Sequence, residues 1–317
     1  MKKLVALIAV GTLAACGPEL ELKLDGAQDA AYSIFYGSAP DQPYHQAVVA
    51  LHKQDARNIY GYHCSGTLIA PDVVLTAAHC LDISTNARKG FKTMAPSSLL
   101  IYFGDGPLTQ AEVPNLRPVV QTLIHLDYNP MALRNDLALI RLSAAEASVA
   151  PVPALPASLG FTSADIGGAI NFAGFGKTEN GSSGIKLQVD HVLGGLGCSV
   201  AGCPSAGDAA TQISYDQTVG PCSGDSGGPA FIARAGQTYV GGMTSYGDSA
   251  CTVYGVSTRA DAYESWIQDF VSPAPPPPPP PPGACGNGVC DPGEDCNSCR
   301  SDCPKVGKGK NAVCTAG

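Results

Sequence analysis

The chain of 317 residues alternates short β-rich runs with turn-forming residues over most of its length. Gln46 to Leu51, Gly66 to Ile69, Val73 to Thr76, Leu137 to Leu142, Ala169 to Ala173 and Tyr239 to Thr244 are such runs, each broken by Gly, Pro, Asn or Asp. This is the pattern of strands joined by tight turns. Asp261 to Phe270 reads as the one helix of this region, because Tyr263, Trp266, Ile267 and Phe270 recur at i, i+3, i+4 and i+7 and share a face. The spacing predicts an all-β architecture of antiparallel barrels with a C-terminal helix. Residues 34 to 271 have apolar content enough for a sizeable core.

The two ends follow other patterns. Lys2 and Lys3 precede an apolar stretch from Leu4 to Ala15 that is too short for a permanent membrane span and reads as an export signal. Its end, Leu13-Ala14-Ala15-Cys16-Gly17, resembles the bacterial lipoprotein cleavage box, which implies a lipid on Cys16; the alternative is an ordinary secretory signal that carries a cysteine. At the other end Pro275 to Pro282 is an unbroken run of eight prolines. It predicts a polyproline II rod of roughly 25 Å at about 3.1 Å per residue, with a docking site for proline-binding domains as the less favoured reading. Beyond it six cysteines fall between Cys285 and Cys314, the density of a small module stapled by disulfides. The expected organisation is a signal peptide at 1–15, a propeptide at 16–33, a main domain at 34–272, a linker at 273–284 and a Cys-rich module at 285–317.

Charge narrows the partners. The whole chain carries a formal net charge of −8, and loss of Lys2 and Lys3 with the leader makes it about −10, which disfavours nucleic acid. Export implies an oxidising compartment, and without Cys16 the 13 cysteines leave an even number, six in the main domain and six in the tail. Fifteen pairings of the tail cysteines are possible and the sequence does not choose among them. Asp291, Glu294, Asp295, Asn297 and Asp302 offer hard oxygen ligands suited to calcium, faintly as in small calcium-binding Cys-rich repeats, although such residues also simply solvate loops. The Cys296-Asn-Ser-Cys299 spacing suits zinc less well in an oxidising compartment.

The chemistry lies in three motifs. Thr76-Ala77-Ala78-His79-Cys80, Asn135-Asp136-Leu137-Ala138-Leu139 and Gly224-Asp225-Ser226-Gly227-Gly228-Pro229 supply a base, a carboxylate and a nucleophile in the order His, Asp, Ser. A serine hydroxyl needs an imidazole to take its proton and a carboxylate to hold the imidazole tautomer. Each motif alone has a plain structural reading as a turn, a core histidine or a cap; the set, at separations of 57 and 90 residues, does not. From about Ile34 to about Val271 the chain resembles the chymotrypsin-like (trypsin family) serine endopeptidases.

That resemblance implies two six-stranded antiparallel barrels and a C-terminal helix, with His79, Asp136 and Ser226 catalytic and the Gly224 and Ser226 N–H groups forming the oxyanion hole. It makes Ser245-Tyr246-Gly247 the edge on which a substrate strand adds, with Ser245 bonded to Asp136. It implies disulfides Cys64–Cys80 and Cys222–Cys251, leaving Cys198 and Cys203 to close a local loop. Ile34-Phe35-Tyr36-Gly37 resembles the activation site, so a cut between Ser33 and Ile34 would create an amine that pairs with Asp225. Phe35 and Tyr36 depart from the small residues usual there. A lipid on Cys16 would then sit on the propeptide, holding the protein to a membrane only before activation.

Gly220 stands where the family's pocket base lies, and Gly247 and Gly255 would line the walls. The expectation is cleavage of protein or peptide substrates after uncharged or apolar residues, by a monomer, with no metal or cofactor needed. Asp248 at the rim could attract a basic side chain. The rivals are a binding protein or adhesin on a protease scaffold that uses the tail, and an esterase without peptide preference.

Overall fold

The computed structural model describes residues 34–178, 183–204, 207–272, 290, 299, 301–303, 305–306 and 313–314. The leader, Cys16, Ser33, the proline run and Asp291, Glu294, Asp295, Cys296 and Asn297 lie outside the described residues. Backbone contacts divide the chain between Val271 and Ser272.

The first unit is all-β. Strands β1 (Val48–Gln54), β2 (Tyr60–Ala70), β3 (Val73–Thr76), β4 (Leu99–Tyr102), β5 (Leu116–Ile124) and β6 (Ala138–Leu142) close a barrel in the order β1-β2-β3-β6-β5-β4, with all pairs antiparallel. β3 is buried at every position because both of its faces are covered, so it reads as a continuous apolar run. β5 alternates more, and Val120 stands exposed on its outer face.

The second half is a seven-stranded antiparallel sheet in the order β8-β7-β11-β12-β13-β10-β9, built from β7 (Ala169–Gly174), β8 (Leu187–Val192), β9 (Gly195–Leu196), β10 (Gln212–Asp216), β11 (Pro229–Arg234), β12 (Gln237–Gly247) and β13 (Tyr254–Arg259). The expectation of a second six-stranded barrel is refined here, since β8 and β9 do not pair with each other. Glycines at 194, 195 and 197 favour turn conformations over a long strand. Each strand keeps to its other neighbour: Leu193 N donates to Gly168 O at 2.9 Å at the end of the β7–β8 ladder, and Gly194 N to Ser214 O at 2.9 Å beside the β9–β10 ladder.

The predicted helix is divided. Asp261–Tyr263 forms a 3₁₀ turn and α1 (Glu264–Val271) follows, burying Ile267 and Phe270. This end is locked by a buried ion pair. Arg259 Nε donates to Asp261 Oδ1 at 3.0 Å while its Nη1 and Nη2 donate to Ala209 O and Phe161 O at 2.8 and 3.1 Å, and Asp261 Oδ2 accepts from Phe161 N at 3.1 Å. In the second unit Cys290 is bonded to Cys303, and a two-stranded ladder joins β14 (Lys305–Val306) to β15 (Val313–Cys314).

Removing one partner of a buried, fully bonded pair leaves an uncompensated charge, at a cost of about 3–5 kcal/mol. Asp261→Ala is therefore expected to lower stability by that amount, read as a denaturant midpoint shift at unchanged slope. A loss below about 1 kcal/mol would place the pair among solvated surface bridges.

Candidate active site

Pairing of β3 with β6 sets Thr76 opposite Ala138, so the residues just past β3 and just before β6 emerge at one end of the closed barrel. His79 sits there in a 3₁₀ turn, Ala78–Cys80, anchored by the Cys64–Cys80 disulfide. Asp136 lies opposite, fully buried. Its Oδ1 accepts from His79 N at 2.9 Å and its Oδ2 stands 2.7 Å from His79 Nδ1. That contact assigns the Nδ1–H tautomer and leaves Nε2 as the acceptor, on a side chain about a quarter exposed. Burial acts to lower the His79 pKa, but the charge and hydrogen bond of Asp136, with a smaller push from Asp82, outweigh it and raise the value above the ordinary 6.5.

The second half supplies a third bond. β12 is irregular between Thr244 and Tyr246, and Ser245 Oγ donates to Asp136 Oδ2 at 2.5 Å. A bulge re-aims one side chain out of the alternating pattern, which is how a strand of the second sheet reaches a carboxylate of the first barrel.

Ser226 is brought onto the His79 turn by close backbone approach. A Cβ on Gly227, at φ +76°, would fall 2.0 Å from Thr76 Oγ1 and 2.8 Å from Ala77 N, so the position excludes any side chain. Ser65 N donates to Ser226 O at 2.9 Å, and Cys80 Sγ lies 3.5 Å from the same oxygen. Among the described residues Ser226 Oγ makes no hydrogen bond to His79 Nε2. Such bonds tighten when substrate is engaged.

Two side chains not singled out in the sequence hold the turn beside Ser226. Tyr62 Oη and Ser65 Oγ both donate to Gly224 O, the latter at 3.2 Å, and Phe175 N donates to Ser65 Oγ at 3.0 Å. Gly224 takes φ +100°, and a Cβ there would meet Gly176 Cα and Tyr62 Cε1 at 2.9 Å. The Tyr62 phenol is pushed well up, by burial first and by the nearby Asp225 charge second. Only adjacency to Cys64 could have drawn attention to these residues.

Asp225 is buried behind this turn, where it accepts from Cys222 N at 2.9 Å and Gly176 N at 2.8 Å. Burial raises its carboxyl to about 7 against the effect of those two donors. Among the described residues it has no cationic partner. Ile34 is fully buried among Leu155, Phe161, Ile170 and Phe172, and Phe35 exchanges backbone bonds with Gly220 at 3.0 and 3.2 Å.

A cavity of about 210 Å³ opens beside Ser226, walled by Pro221, Cys222, Ser223, the Ser245-Tyr246-Gly247 edge and Cys251. Cys222–Cys251 ties two of its walls, and Cys198–Cys203 closes a separate loop. Gly247 lines the cavity, whereas Gly220 and Gly255 do not. Gly220 is engaged with Phe35, and the Tyr215 ring lies over Gly255, where a Cβ would fall 2.3 Å from Cε2. Asp248 is committed locally. It accepts from the N–H groups of Ala250, Thr252, Val253 and Tyr254 at 2.7 to 3.2 Å, and these outweigh the burial that acts to raise its carboxyl, leaving it below the usual range. Its oxygens therefore organise the 248–254 loop while the carboxylate stays ionised. Cys64, His79 and Cys80 cluster at metal-ligand distances, but the disulfide has consumed both thiols.

Known proteins share this framework. A family model described as Trypsin matches residues 35–267. The chain is 29% identical to the CLIP domain-containing serine protease B4 of Anopheles gambiae over 281 residues, covering 80% of this chain and 72% of that protein. It is 32% identical to brachyurin of Leptuca pugilator over 223 residues, 65% of this chain and 87% of that protein. Cathepsin G of Mus musculus is 28% identical over 211 residues, 65% and 73% of the respective chains. With a barrel end, a buried carboxylate–imidazole contact and this match over most of its length, the chain belongs to the trypsin family and is a serine endopeptidase acting on protein or peptide substrates.

Proposed function

We propose that the chain is an exported zymogen that hydrolyses peptide bonds through an acyl-enzyme on Ser226, with His79 as the base, Asp136 as its orienting carboxylate, and specificity for uncharged side chains. The observation that carries this reading is the Asp136 carboxylate, which holds His79 in the tautomer that leaves Nε2 free to accept a proton. Ser226 Oγ attacks the scissile carbonyl carbon as its proton passes to His79 Nε2, and the new oxyanion is held by the Gly224 and Ser226 N–H groups. Collapse expels the amine, which takes the proton from His79. Water then adds to the ester by the same proton route, releasing the acid and restoring Ser226. All the charge stabilisation in these steps comes from groups of the chain itself.

The substrate strand has a place to add. β11 pairs β12 only as far as Met243, so Ser245 to Gly247 keep one backbone edge beyond that ladder. Specificity for uncharged residues rests on Gly220, which brings no carboxylate to the position of the family's pocket base, while the Asp248 carboxylate in the cavity lining is held by its own loop.

Activation would cut between Ser33 and Ile34. In the uncut chain Ile34, a β-branched residue, holds φ +60°, a conformation that costs roughly 1–2 kcal/mol. Hydrolysis removes that torsion. The new ammonium is the cation that the buried Asp225 lacks, and pairing would hold Asp225 ionised at neutral pH and fix the Gly224 turn. The leader and Cys16 suit export with a lipid on the propeptide, so the same cut would free a monomeric enzyme from the membrane.

Three outcomes follow. A fluorophosphonate should label the processed protein and not Ser226→Ala, and because neutral His79 is the base, the labelling rate should be lost as pH falls through a midpoint above 6.5. Equal labelling of both proteins removes Ser226 from the mechanism. Ile34→Gly gives up about 1.5–3 kcal/mol of side-chain burial that favours the inserted terminus, so kcat/KM should drop roughly 10- to 150-fold with the circular dichroism unchanged. Full activity of that variant defeats the latch. Cell fractionation should find a variant blocked at the Ser33–Ile34 cut in the membrane and the wild type released; equal retention counts against anchoring through the propeptide.

A further inference from the structure

One of the two N–H groups assigned to the oxyanion belongs to a glycine, which has little backbone preference of its own. Gly224 stands at φ +100°, and without a Cβ it passes between left- and right-handed backbone at little cost. The direction of one N–H relative to the other depends on the φ and ψ of Gly224 and Asp225, so the plane of the peptide joining these residues has to be fixed. In this fold it is held at both ends. Its carbonyl, Gly224 O, accepts from Tyr62 Oη and from Ser65 Oγ, the latter at 3.2 Å, and its amide, Asp225 N, donates to Cys222 O at 2.9 Å.

Ser65 ties the two residues together. Its N–H donates to Ser226 O at 2.9 Å while its hydroxyl holds Gly224 O, and that hydroxyl accepts in turn from Phe175 N at 3.0 Å. The Phe175 ring also backs Tyr62, with centroids 6.3 Å apart, and Tyr62 Oη stands 3.1 Å from Ser65 Oγ. Burial pushes the Tyr62 phenol up, so it stays a donor. Asp225 O accepts from Gly228 N at 2.8 Å, which leaves every carbonyl from Gly224 to Ser226 bonded. By contrast, Gly224 N and Ser226 N donate to nothing among the described residues. A turn whose carbonyls and intervening amide are all engaged, and whose two flanking N–H groups stand open, is built to receive an oxygen.

We propose that Tyr62 and Ser65 are positioning residues of the oxyanion hole: together they hold Gly224 O, and Ser65 also holds Ser226 O, so that the Gly224 and Ser226 N–H groups converge on the attacked carbonyl oxygen. The proposal rests on the reading of Ser226 as nucleophile. It adds to that site two side chains of β2, a strand of the first barrel, whereas Gly224 and Ser226 lie in the loop before β11 of the second sheet. Both act through Gly224 and Ser226 and take no part in bond making.

The test is Tyr62→Phe, which keeps the ring against Phe175 and removes only the donor, assayed as processed enzyme with its active fraction counted by fluorophosphonate labelling. We expect kcat on a peptide substrate to fall about tenfold with KM within a factor of about two, a smaller loss than the roughly 10²–10³ that follows deletion of an oxyanion donor outright. A peptide aldehyde, which presents a tetrahedral oxygen to the same N–H groups, should lose affinity by the factor that kcat loses. A tyrosine that only filled space would lower the active fraction and leave kcat per active site and aldehyde affinity unchanged, and that result overturns the proposal. So does a rise in KM at constant kcat, or a fall in kcat without the matching loss of aldehyde affinity. Should Tyr62→Phe fail to fold, Ser65→Ala is read by the same two ratios. Should neither fold, a crystal structure of the wild type with the aldehyde bound decides, and Gly224 O turned away from Tyr62 sinks the assignment. A wild type that neither labels nor cleaves overturns the reading of Ser226 and this assignment with it, a result distinct from an active wild type indifferent to both substitutions.

Discussion

A carboxylate sealed from water is tolerable only when its lone pairs are filled, and Asp136 is filled from three separate places. The His79 backbone and ring come from the turn after β3, Asp136 itself from the turn before β6, and the Ser245 hydroxyl from β12 of the other sheet. Burying Asp136 therefore requires both halves of the fold to be formed and docked. Leaving any of these donors out would expose the cost of a desolvated charge, several kcal/mol even after relaxation. The same three bonds orient the imidazole. Stability and chemistry draw on one interaction, and the site cannot be preassembled by either half alone.

Around that anchor, position is set by what is absent as much as by what is bonded. Gly227 lets the serine turn lie against Thr76 and Ala77 at a distance that no Cβ allows, and Gly224 lets the preceding peptide lie against Gly176 and Tyr62. Tyr62 and Ser65 then take the Gly224 carbonyl on the far side. A carbonyl held by two hydroxyls fixes the plane of its peptide. The chain on either side of Asp225 is thereby held in one arrangement beside Ser226.

Much of this was legible in the sequence because the chemistry demands rare residue types in fixed order. His79, Asp136 and Ser226 stand out by identity, and β3 and β7 by their apolar runs. The strands of the first unit that went unread, β4, β5, β8, β9, β10, β11 and β13, are short or mixed in polarity, and their strand character comes from partners distant in sequence. β1 begins two residues later than the run at Gln46 suggested, because Pro43–Ala47 coils into a 3₁₀ turn, with Pro43 at its start and Gln42 capped against His45. Tyr62, Ser65 and Tyr215 were invisible for another reason. Nothing local distinguishes a tyrosine that will hold a carbonyl from one that fills a core, and only the folded register reveals which atoms it meets.

Gly220 shows how such a register changes the meaning of a residue. Read along the chain, a glycine at this place suggests an open pocket floor. In the fold it takes φ +129°, which a side chain would make costly, and uses both backbone groups to pair with Phe35, next to the buried Ile34. The Tyr215 ring is among the groups that line the cavity, admitted because Gly255 has no Cβ to oppose it. One glycine thus joins the segment at Ile34 to the loop that leads into Cys222 and Asp225, and another makes room for an aromatic ring in the cavity wall. The segment at Ile34 and the loop that walls the cavity are consequently tied by backbone bonds, since Phe35 is held to Gly220 and the chain runs from there to Cys222 and Ser226.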